Sequence, residues 1–285
     1  MDYQRIDVAP LAGALAAEIT GVDLAALDDE TFAEIHHAWL AYQVVFFRDQ
    51  YITPDQQLAF AHRLGDIHHH PFMQGMDSHP DIFEIIKEET DTHTFGATWH
   101  TDQMFNPNPA KATMLYAKET PDAGGDTLFA SMYLAYDALS DGMKDMLADV
   151  ETWSVGDKFK QYRGAGRAER YGGNEKMAAK VKDPDNVITE AAHPLFRTHP
   201  ETGRKGLYIG SHMQTFVDFG DDEAEPIIAF LCDHATRPEF TYRFHWQPGS
   251  LALWDNRCVQ HHAIADYNGQ RRRMHRITIA GDTPY

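Results

Sequence analysis

Residues 259–280 read VQHHAIADYNGQRRRMHRITIA. Two runs with the composition of β-strands, Val259 to Ala265 and Arg272 to Ala280, flank the dipeptide Asn268-Gly269. Asn-Gly between such runs is a strong short-range indication of a hairpin, because both central residues of a type I′ turn need positive φ. We therefore predict an antiparallel pair of strands here and interpret the rest of the chain from it.

The register of this predicted hairpin determines which side chains share a face. A two-residue loop places His261 opposite Arg276. Alternation along the strands then puts His261, Arg272 and Arg276 on one face, and Arg271 and Arg273 on the other. A one-residue shift would reverse the assignment. If the first face is interior, its two guanidinium groups require bound anions, because an unpaired buried charge costs several kcal/mol.

Short strands and helices are predicted elsewhere in the chain. Apolar runs typical of strands lie at Val44 to Phe47, Phe240 to Trp246 and Leu251 to Trp254. The helical patterns lie at Asp28 to Tyr42, Thr53 to Gly65, Ser131 to Leu139 and Glu225 to Ala235. The second helix has Thr53 as N-cap, Pro54 at N1 and Gln56 at N3. This mixture indicates a mainly β fold with flanking α-helices, either a sandwich or a jelly roll.

Composition excludes several classes of protein. Hydrophobic residues make up 43% of the 285 residues and the formal net charge is −18, which argues against binding to nucleic acid or to an anionic membrane. No apolar stretch reaches the roughly 18 residues of a membrane span, and Met1 to Arg5 lack a signal-peptide layout. Two cysteines, Cys232 and Cys258, cannot form a disulfide framework. We expect one cytoplasmic domain over residues 1–285, with no internal repeat or linker.

A second motif supplies candidate metal ligands. In Trp99-His100-Thr101-Asp102, a strand would project His100 and Asp102 from one face. His-x-Asp alone is a weak motif, and the predicted hairpin contributes His261 as a third ligand. Two histidines and one carboxylate suit a non-haem Fe(II) site with open positions, whereas structural zinc is usually closed by four Cys or His ligands.

Further motifs follow in order along the chain. They are Ala17 to Leu24 (AEITGVDL), Val44 to Arg48 (VVFFR), Gly124 to Thr127 (GGDT), His193-Pro194, Trp254 to Arg257 (WDNR), Gln260-His261, Arg272 to Arg276 (RRMHR) and Gly281-Asp282. Together with Trp99 to Asp102 they resemble the taurine dioxygenase and chlorophenoxyacetate dioxygenase (TauD/TfdA) family of Fe(II)/2-oxoglutarate-dependent enzymes. The resemblance covers more than 200 residues.

The resemblance implies a double-stranded β-helix (jelly roll) and a specific set of roles. His100, Asp102 and His261 match the iron ligands. Thr127 and Arg272 match the residues that bind the distal carboxylate of 2-oxoglutarate. The matches for the anionic group of the prime substrate are Arg276 and His70. The implied reaction consumes O₂, releases succinate and CO₂, and hydroxylates the substrate, since related halogenases lack the carboxylate ligand.

Two departures from the family concern the prime substrate. Met73 and Gly96 stand where taurine-using members carry tyrosine and asparagine. Six side chains are expected to line a more apolar pocket: Phe72, Met73, Met104, Phe105, Met213 and Phe216. We therefore expect a bulkier carboxylate, sulfonate or sulfate ester instead of taurine.

A basic, glycine-rich stretch at about residues 155–186 is expected to form a mobile lid. Eight Lys or Arg against five Asp or Glu give it a local charge of +3, which suits an anionic substrate. The resemblance also implies a homo-oligomer, a dimer or a tetramer. Two alternatives use the same residues: a non-enzymatic anion-binding jelly roll, and a cupin-type metal isomerase or hydrolase that would not need Arg272 and Thr127 as a clamp.

Overall fold

The described part of the chain contains fifteen β-strands and six α-helices. The computed structural model describes residues 3–156, 168 and 169, 171–182 and 188–285. Within these residues the strands are β1 (Asp7–Pro10), β2 (Ala17–Thr20), β3 (Val44–Phe47), β4 (Phe83–Lys87), β5 (Ala112–Glu119), β6 (Thr127–Ser131), β7 (Glu151–Val155), β8 (Glu190–Pro194), β9 (Phe196–Thr198), β10 (Lys205–Leu207), β11 (Met213–Phe216), β12 (Thr241–Phe244), β13 (Leu251–Asp255), β14 (Val259–Ala263) and β15 (Arg272–Ile279). The α-helices are α1 (Asp29–Tyr42), α2 (Pro54–Leu64), α3 (Met132–Asp137), α4 (Asp141–Met146), α5 (Glu175–Ala179) and α6 (Asp221–Ala235).

The strands form a jelly roll built from a large and a small sheet. The large sheet has the order β1-β2-β3-β13-β5-β15-β4 and is antiparallel except between β2 and β3. The small sheet has the strand order β12-β6-β14. Two further small sheets have the strand orders β11-β7-β8 and β10-β9. The predicted mainly β fold with flanking helices is confirmed.

The predicted hairpin is wrong, although its turn forms. Gly269 has φ +75°, and the Gln270 amide donates to the Tyr267 carbonyl at 3.3 Å. The eight residues 264–271 nevertheless carry the chain from the small sheet to the large one. There β15 finds partners on both sides, β4 and β5, whereas β14 pairs with β6.

The prediction that Arg272 and Arg276 share one face of β15 and that Arg271 and Arg273 share the other is confirmed. Arg272 and Arg276 are 5% and 6% exposed, whereas the side chains of Arg271 and Arg273 are about one-third exposed. The reason differs from the predicted one, because alternation along β15 depends only on the pleat and on which face meets the core.

The predicted helices form, because their signals are local. Thr53 and Gln56 form a reciprocal capping box at the start of α2, and Pro54 occupies its first turn. Asp28 caps α1 by accepting from the Thr31 amide, and Ser131 caps α3 in the same way from Leu134. Among the described residues, no helix has both the length and the apolar composition needed to cross a bilayer.

Aromatic stacking joins the two sheets of the jelly roll. Phe46 of β3 and Phe244 of β12 are fully buried, with ring centroids 3.8 Å apart and planes nearly parallel. Phe129 of β6 meets Phe46 edge-on at 5.6 Å and Trp254 of β13 at the same distance. On its other face the large sheet packs against α1 and α2 through a separate apolar cluster that includes Trp39. These rings join the two sheets next to β14, because Phe129 pairs with His261 across β6 and β14.

We expect Phe46→Ala to lower the free energy of unfolding by about 3–5 kcal/mol, because it leaves a cavity between the sheets. Denaturant titration followed by tryptophan fluorescence measures the loss. Phe230→Ala, at a phenylalanine that is 43% exposed on α6, is the control and should cost less than about 1 kcal/mol. Equal losses for the two variants would contradict the packing argument.

Candidate metal centre and substrate cavities

Three side chains from two segments, His100, Asp102 and His261, converge at one point. The Nε2 atoms of His100 and His261 lie 3.7 and 3.9 Å from Oδ1 of Asp102. One ligand atom from each residue falls within 4.8 Å of the other two. The side chains are at most 11% exposed. Two imidazoles and one carboxylate at this spacing can chelate a divalent ion and leave one side open.

The segment that carries His100 and Asp102 is not the predicted strand. Only His100 pairs, through two backbone hydrogen bonds with His261 at 3.1 and 2.8 Å. The chain then turns, and Gln103 takes the left-handed φ of +56°. Because this turn bends the chain immediately after the bridge, Asp102 meets His100 and His261 without a second strand residue.

The two histidines are oriented in different ways. Nδ1 of His100 is 2.7 Å from the carbonyl of Thr98, a contact that directs its Nε2 toward Asp102. His261 packs against the ring of Trp254, with centroids 4.6 Å apart, and its Nδ1 has no hydrogen-bond partner in the described part of the chain. Burial, followed by the charge of His100, lowers the pKa of His261 well below its usual value. The imidazole is therefore neutral, the form that binds a metal.

Asp102 is fixed by Thr113, which no sequence motif singled out, together with Trp254 and Asn256 of the WDNR motif. Its Oδ2 accepts from the hydroxyl of Thr113 on β5 at 2.6 Å, and that hydroxyl accepts from Asn256 at 2.9 Å. Trp254 donates to the Oδ1 of Asn256 at 2.9 Å. Burial acts to raise the pKa of Asp102, but the charges of Arg276 and the neighbouring imidazoles more than offset it. The carboxylate is therefore ionised, and Oδ1 is the oxygen that faces the histidines.

Arg276 contacts the same carboxylate. Its Nη2 lies 2.7 Å from Oδ1 of Asp102, yet neither Nη2 nor Nε has an aligned hydrogen-bond acceptor among the described residues. His70 lies beside it in the same cavity, and burial, then the charge of Arg276, lower its pKa to about 3. Arg276 is therefore the cation of this region, and His70 is a neutral polar neighbour.

Arg272 lies near the predicted ligands as well and has no carboxylate partner among the described residues. Its Nε and Nη2 are buried without acceptors among the described residues. Burial lowers its pKa, an effect that Tyr267 and Asp126 partly oppose. A cavity of about 40 Å³ contains Arg272, Thr127 and His261 in its wall. The hydroxyl of Thr127 accepts from the indole of Trp246 at 2.9 Å, which leaves its own hydrogen to donate.

A larger cavity of about 200 Å³ opens from Asp102 and Arg276. Two aromatic pairs form much of its wall: Phe72 with Phe105, and Phe95 with Tyr171, each with ring centroids 6.0 Å apart. Of the six apolar residues expected here, Phe72, Met73 and Phe105 line the cavity.

The expectation for Met104, Met213 and Phe216 is wrong. They are fully or almost fully buried and do not line the cavity. Met213 and Phe216 pack in the apolar cluster beneath α6 because β11 turns them inward. Phe95, Tyr171 and His212 lie on the wall instead. Nothing in a single sequence marked them, since a loop position has no periodicity.

The predicted lid at 155–186 lies partly outside the described residues. Of its described residues, Gly156, Tyr171 and Val181 line the larger cavity. Whether the segment closes over a ligand stays a prediction.

A second group of potential ligand atoms, His199, Asp255 and Cys258, is an ion-pair network. Both carboxylate oxygens of Asp255 accept from Arg257, at 2.8 and 2.7 Å, and His199 contacts one of them at 2.9 Å. Burial raises the pKa of the Cys258 thiol well above its usual value. A neutral thiol and a carboxylate already neutralised by arginine do not favour a metal.

Comparisons with known proteins agree with this geometry. The model of the "Taurine catabolism dioxygenase TauD, TfdA family" matches residues 7–278. The chain is 34% identical to an (S)-phenoxypropionate/alpha-ketoglutarate dioxygenase of Sphingobium herbicidovorans, over 97% of this chain and 95% of that protein. It is 33% identical to an alpha-ketoglutarate-dependent sulfate ester dioxygenase of Pseudomonas putida, over 98% and 91%.

A solved structure is similar over the same length. AAD-2 in complex with Mn(II) and N-oxalylglycine superposes with a TM-score of 0.76 at 29% identity, covering 99% of both chains.

We expect Thr113→Val to weaken divalent-metal binding by roughly ten- to one-hundredfold, because Asp102 loses the hydrogen bond that directs Oδ1 inward. Calorimetric titration with Mn(II) measures the affinity. Thr152→Val is the control: this buried threonine of β7 donates to the His193 carbonyl, away from the site. An unchanged affinity for Thr113→Val would show that Thr113 does not support the predicted ligand.

Proposed function

The chain belongs to the TauD/TfdA family and is a 2-oxoglutarate-dependent dioxygenase; we propose that it hydroxylates a small organic anion with a large apolar part. The observation that carries this proposal is the pair of buried guanidinium groups beside the His–Asp–His group. Arg272 has no carboxylate partner among the described residues. Arg276 contacts a single carboxylate there, that of Asp102. Both therefore suit anionic ligands.

The residues fit the cofactor and co-substrate that the family uses. His100, Asp102 and His261 are proposed to hold Fe(II), since two neutral imidazoles and one carboxylate are a donor set typical of that ion. Arg272 and Thr127 are proposed to bind the distal carboxylate of 2-oxoglutarate with charge-assisted hydrogen bonds. When bound, the iron and the co-substrate supply the oxidising chemistry, in which O₂ and 2-oxoglutarate yield hydroxylated product, succinate and CO₂.

The protein's own contribution is to place the substrate. Arg276 is proposed to bind the anionic group, with His70 as a neutral hydrogen-bonding neighbour, so that the apolar part extends between the aromatic pairs. Fixing one end of the substrate in this way orients a particular C–H bond toward the three proposed ligands.

Taurine fits this cavity poorly. Its ammonium group needs an acceptor or an anion, and Asp102 is the one carboxylate on the described wall, already engaged by Arg276 and Thr113. Met73 and Gly96 provide no side-chain polar group that would replace one. A carboxylate, sulfonate or sulfate ester with an alkyl or aryl body fits better: its anionic group suits Arg276, and its apolar part suits the aromatic walls.

Location and assembly complete the proposal. Two cysteines, Cys232 and Cys258, cannot form a disulfide framework, which favours a reducing compartment, and we propose the cytoplasm. The net charge of −18 disfavours nucleic acid and anionic membranes as partners. A homo-oligomer, dimer or tetramer, stays the expectation from the family resemblance, and light scattering measures it.

A succinate assay tests the function. The protein is mixed anaerobically with Fe(II) and 2-oxoglutarate, the visible absorption band of the complex is recorded, and air is then admitted with aryloxyalkanoates, alkyl sulfates, sulfonates or taurine. We expect a band, and succinate release that an aryl or alkyl anion accelerates more than taurine does. Binding of 2-oxoglutarate without succinate would favour the anion-binding jelly roll, and turnover independent of 2-oxoglutarate would favour the cupin-type enzyme.

We expect Arg272→Met to raise the KM for 2-oxoglutarate by roughly one hundredfold, about 3 kcal/mol, because a buried carboxylate loses its cation. The matched control is Arg271→Met, since Arg271 is adjacent in sequence but points outward to Glu88 and Glu119. It should change KM by less than about threefold. Similar effects in the two variants would contradict the assignment of Arg272.

We expect Arg276→Met to raise the KM for the accelerating anion by roughly ten- to one-hundredfold while the KM for 2-oxoglutarate changes by less than about threefold. Arg273→Met, on the outward face of β15 and paired with Glu84, is the control. Steady-state kinetics with each co-substrate varied in turn gives both values. A larger effect on 2-oxoglutarate than on the anion would exchange the roles of Arg272 and Arg276.

A further inference from the structure

A buried lysine stands directly opposite Arg272 on the neighbouring strand. The antiparallel register of β4 and β15 pairs Lys87 with Arg272, so their side chains point to the same inward face. Lys87 is 4% exposed, and its Nζ has no hydrogen-bond partner among the described residues. Nζ lies 4.8 Å from the centroid of the Tyr267 ring. Like charges at opposing positions of a ladder destabilise it unless an anion lies close to both.

The nearby glutamates do not provide that anion. Glu84, Glu88 and Glu119 lie along this edge of the large sheet, and all three pair with cations of the outward face, Arg271 and Arg273 among them. Neither Lys87 nor Arg272 forms an ion pair with a carboxylate in the described part of the chain. The outward face is thus neutralised by protein carboxylates, whereas the inward face retains two positive charges.

A small cavity of about 10 Å³ lies between these two cations. Lys87, Arg272 and Tyr267 form part of its wall, and its volume is roughly that required by one water molecule. Arg272 also lines the 40 Å³ cavity that contains Thr127, and Ile85 and Phe95 line both cavities. Arg272 therefore lines both the proposed co-substrate site and the small cavity that Lys87 lines.

We propose that Lys87 is a second cation for the distal carboxylate of 2-oxoglutarate, acting beside Arg272 across the small cavity. This inference rests on the proposed function and adds a positioning residue to it. The carboxylate neutralises both inward charges, and Lys87 makes the site select a dicarboxylic 2-oxo acid over a monocarboxylic one. The interaction is strong because all the groups are shielded from water.

The competing role for Lys87 is structural, in which its ammonium group only packs on Tyr267. Lys118 of β5 offers a comparison, since its Nζ lies 5.0 Å from the Tyr116 ring centroid and it lines neither the small cavity nor the 40 Å³ cavity. If both lysines only pack on tyrosine rings, replacing either one should not change the contribution of the distal carboxylate to binding. If Lys87 acts electrostatically, only its replacement should reduce that contribution.

The test compares two co-substrates that differ only at the distal end: 2-oxoglutarate, and 2-oxopentanoate, which has a methyl group in place of the carboxylate. Dissociation constants are measured anaerobically with Mn(II)-loaded wild type, Lys87→Met and Lys118→Met. We expect Lys87→Met to weaken 2-oxoglutarate binding by roughly tenfold or more and to change 2-oxopentanoate binding by less than about twofold. Lys118→Met should change neither.

Three results separate the possibilities. Equal weakening of both ligands, or no change in either, in Lys87→Met would overturn the inference while leaving the proposed function intact. Failure of the wild type to prefer 2-oxoglutarate over 2-oxopentanoate would count against the proposed function itself. If Lys87→Met does not fold, Lys87→Gln and Lys87→Arg carry the test: the first should lose the preference and the second should retain it.

Discussion

β15 buries Arg272 and Arg276 between the two sheets of the jelly roll, where a guanidinium group without an anion is costly. The chain neutralises its outward-facing arginines with glutamates but leaves these two with unsatisfied N–H groups. Fold and function are therefore coupled at this strand. The proposed ligands are anions, which would remove the cost of burying these two guanidinium groups. The aromatic contacts of Phe46 join the two sheets beside the site, because Phe46 meets Phe129, the residue that pairs with His261.

The proposed metal ligands depend on a different kind of support, a chain of hydrogen bonds that starts from the large sheet and ends at Asp102. Asp102 sits on a turn, and a turn alone would not hold a carboxylate in one orientation. Thr113 in the large sheet and Asn256 after β13 fix it by successive hydrogen bonds, and Trp254 both donates to Asn256 and packs against His261. One tryptophan thus orients parts of two predicted ligands. A ligand set assembled in this way is sensitive to residues that never touch the ion.

The sequence indicated much of this arrangement, and the failures have physical reasons. Helix caps such as Thr53 are local and were predictable. The inward face of β15 was predictable because alternation needs no knowledge of the partner strand. Partner choice was not, since Asn268-Gly269 specifies a turn but not the sheet to which the chain returns. Thr113 and Lys87 were missed because a single polar residue within an apolar strand is usually solvent-facing, and only the three-dimensional register shows otherwise.

The charge of the whole molecule opposes the chemistry of its site, since a chain of net charge −18 is proposed to bind two anions. Screening limits the long-range repulsion to about 8–10 Å at physiological salt, whereas the buried cations act in a medium of low dielectric constant. The choice between anionic ligands therefore depends on the buried cations that line the cavities. In the proposed function the cations have separate roles: Arg272 with Lys87 would bind the dicarboxylic co-substrate, and Arg276, which also contacts Asp102, would bind the substrate. The position of the substrate anion and the charge at the proposed metal site would then depend on the same side chain, Arg276.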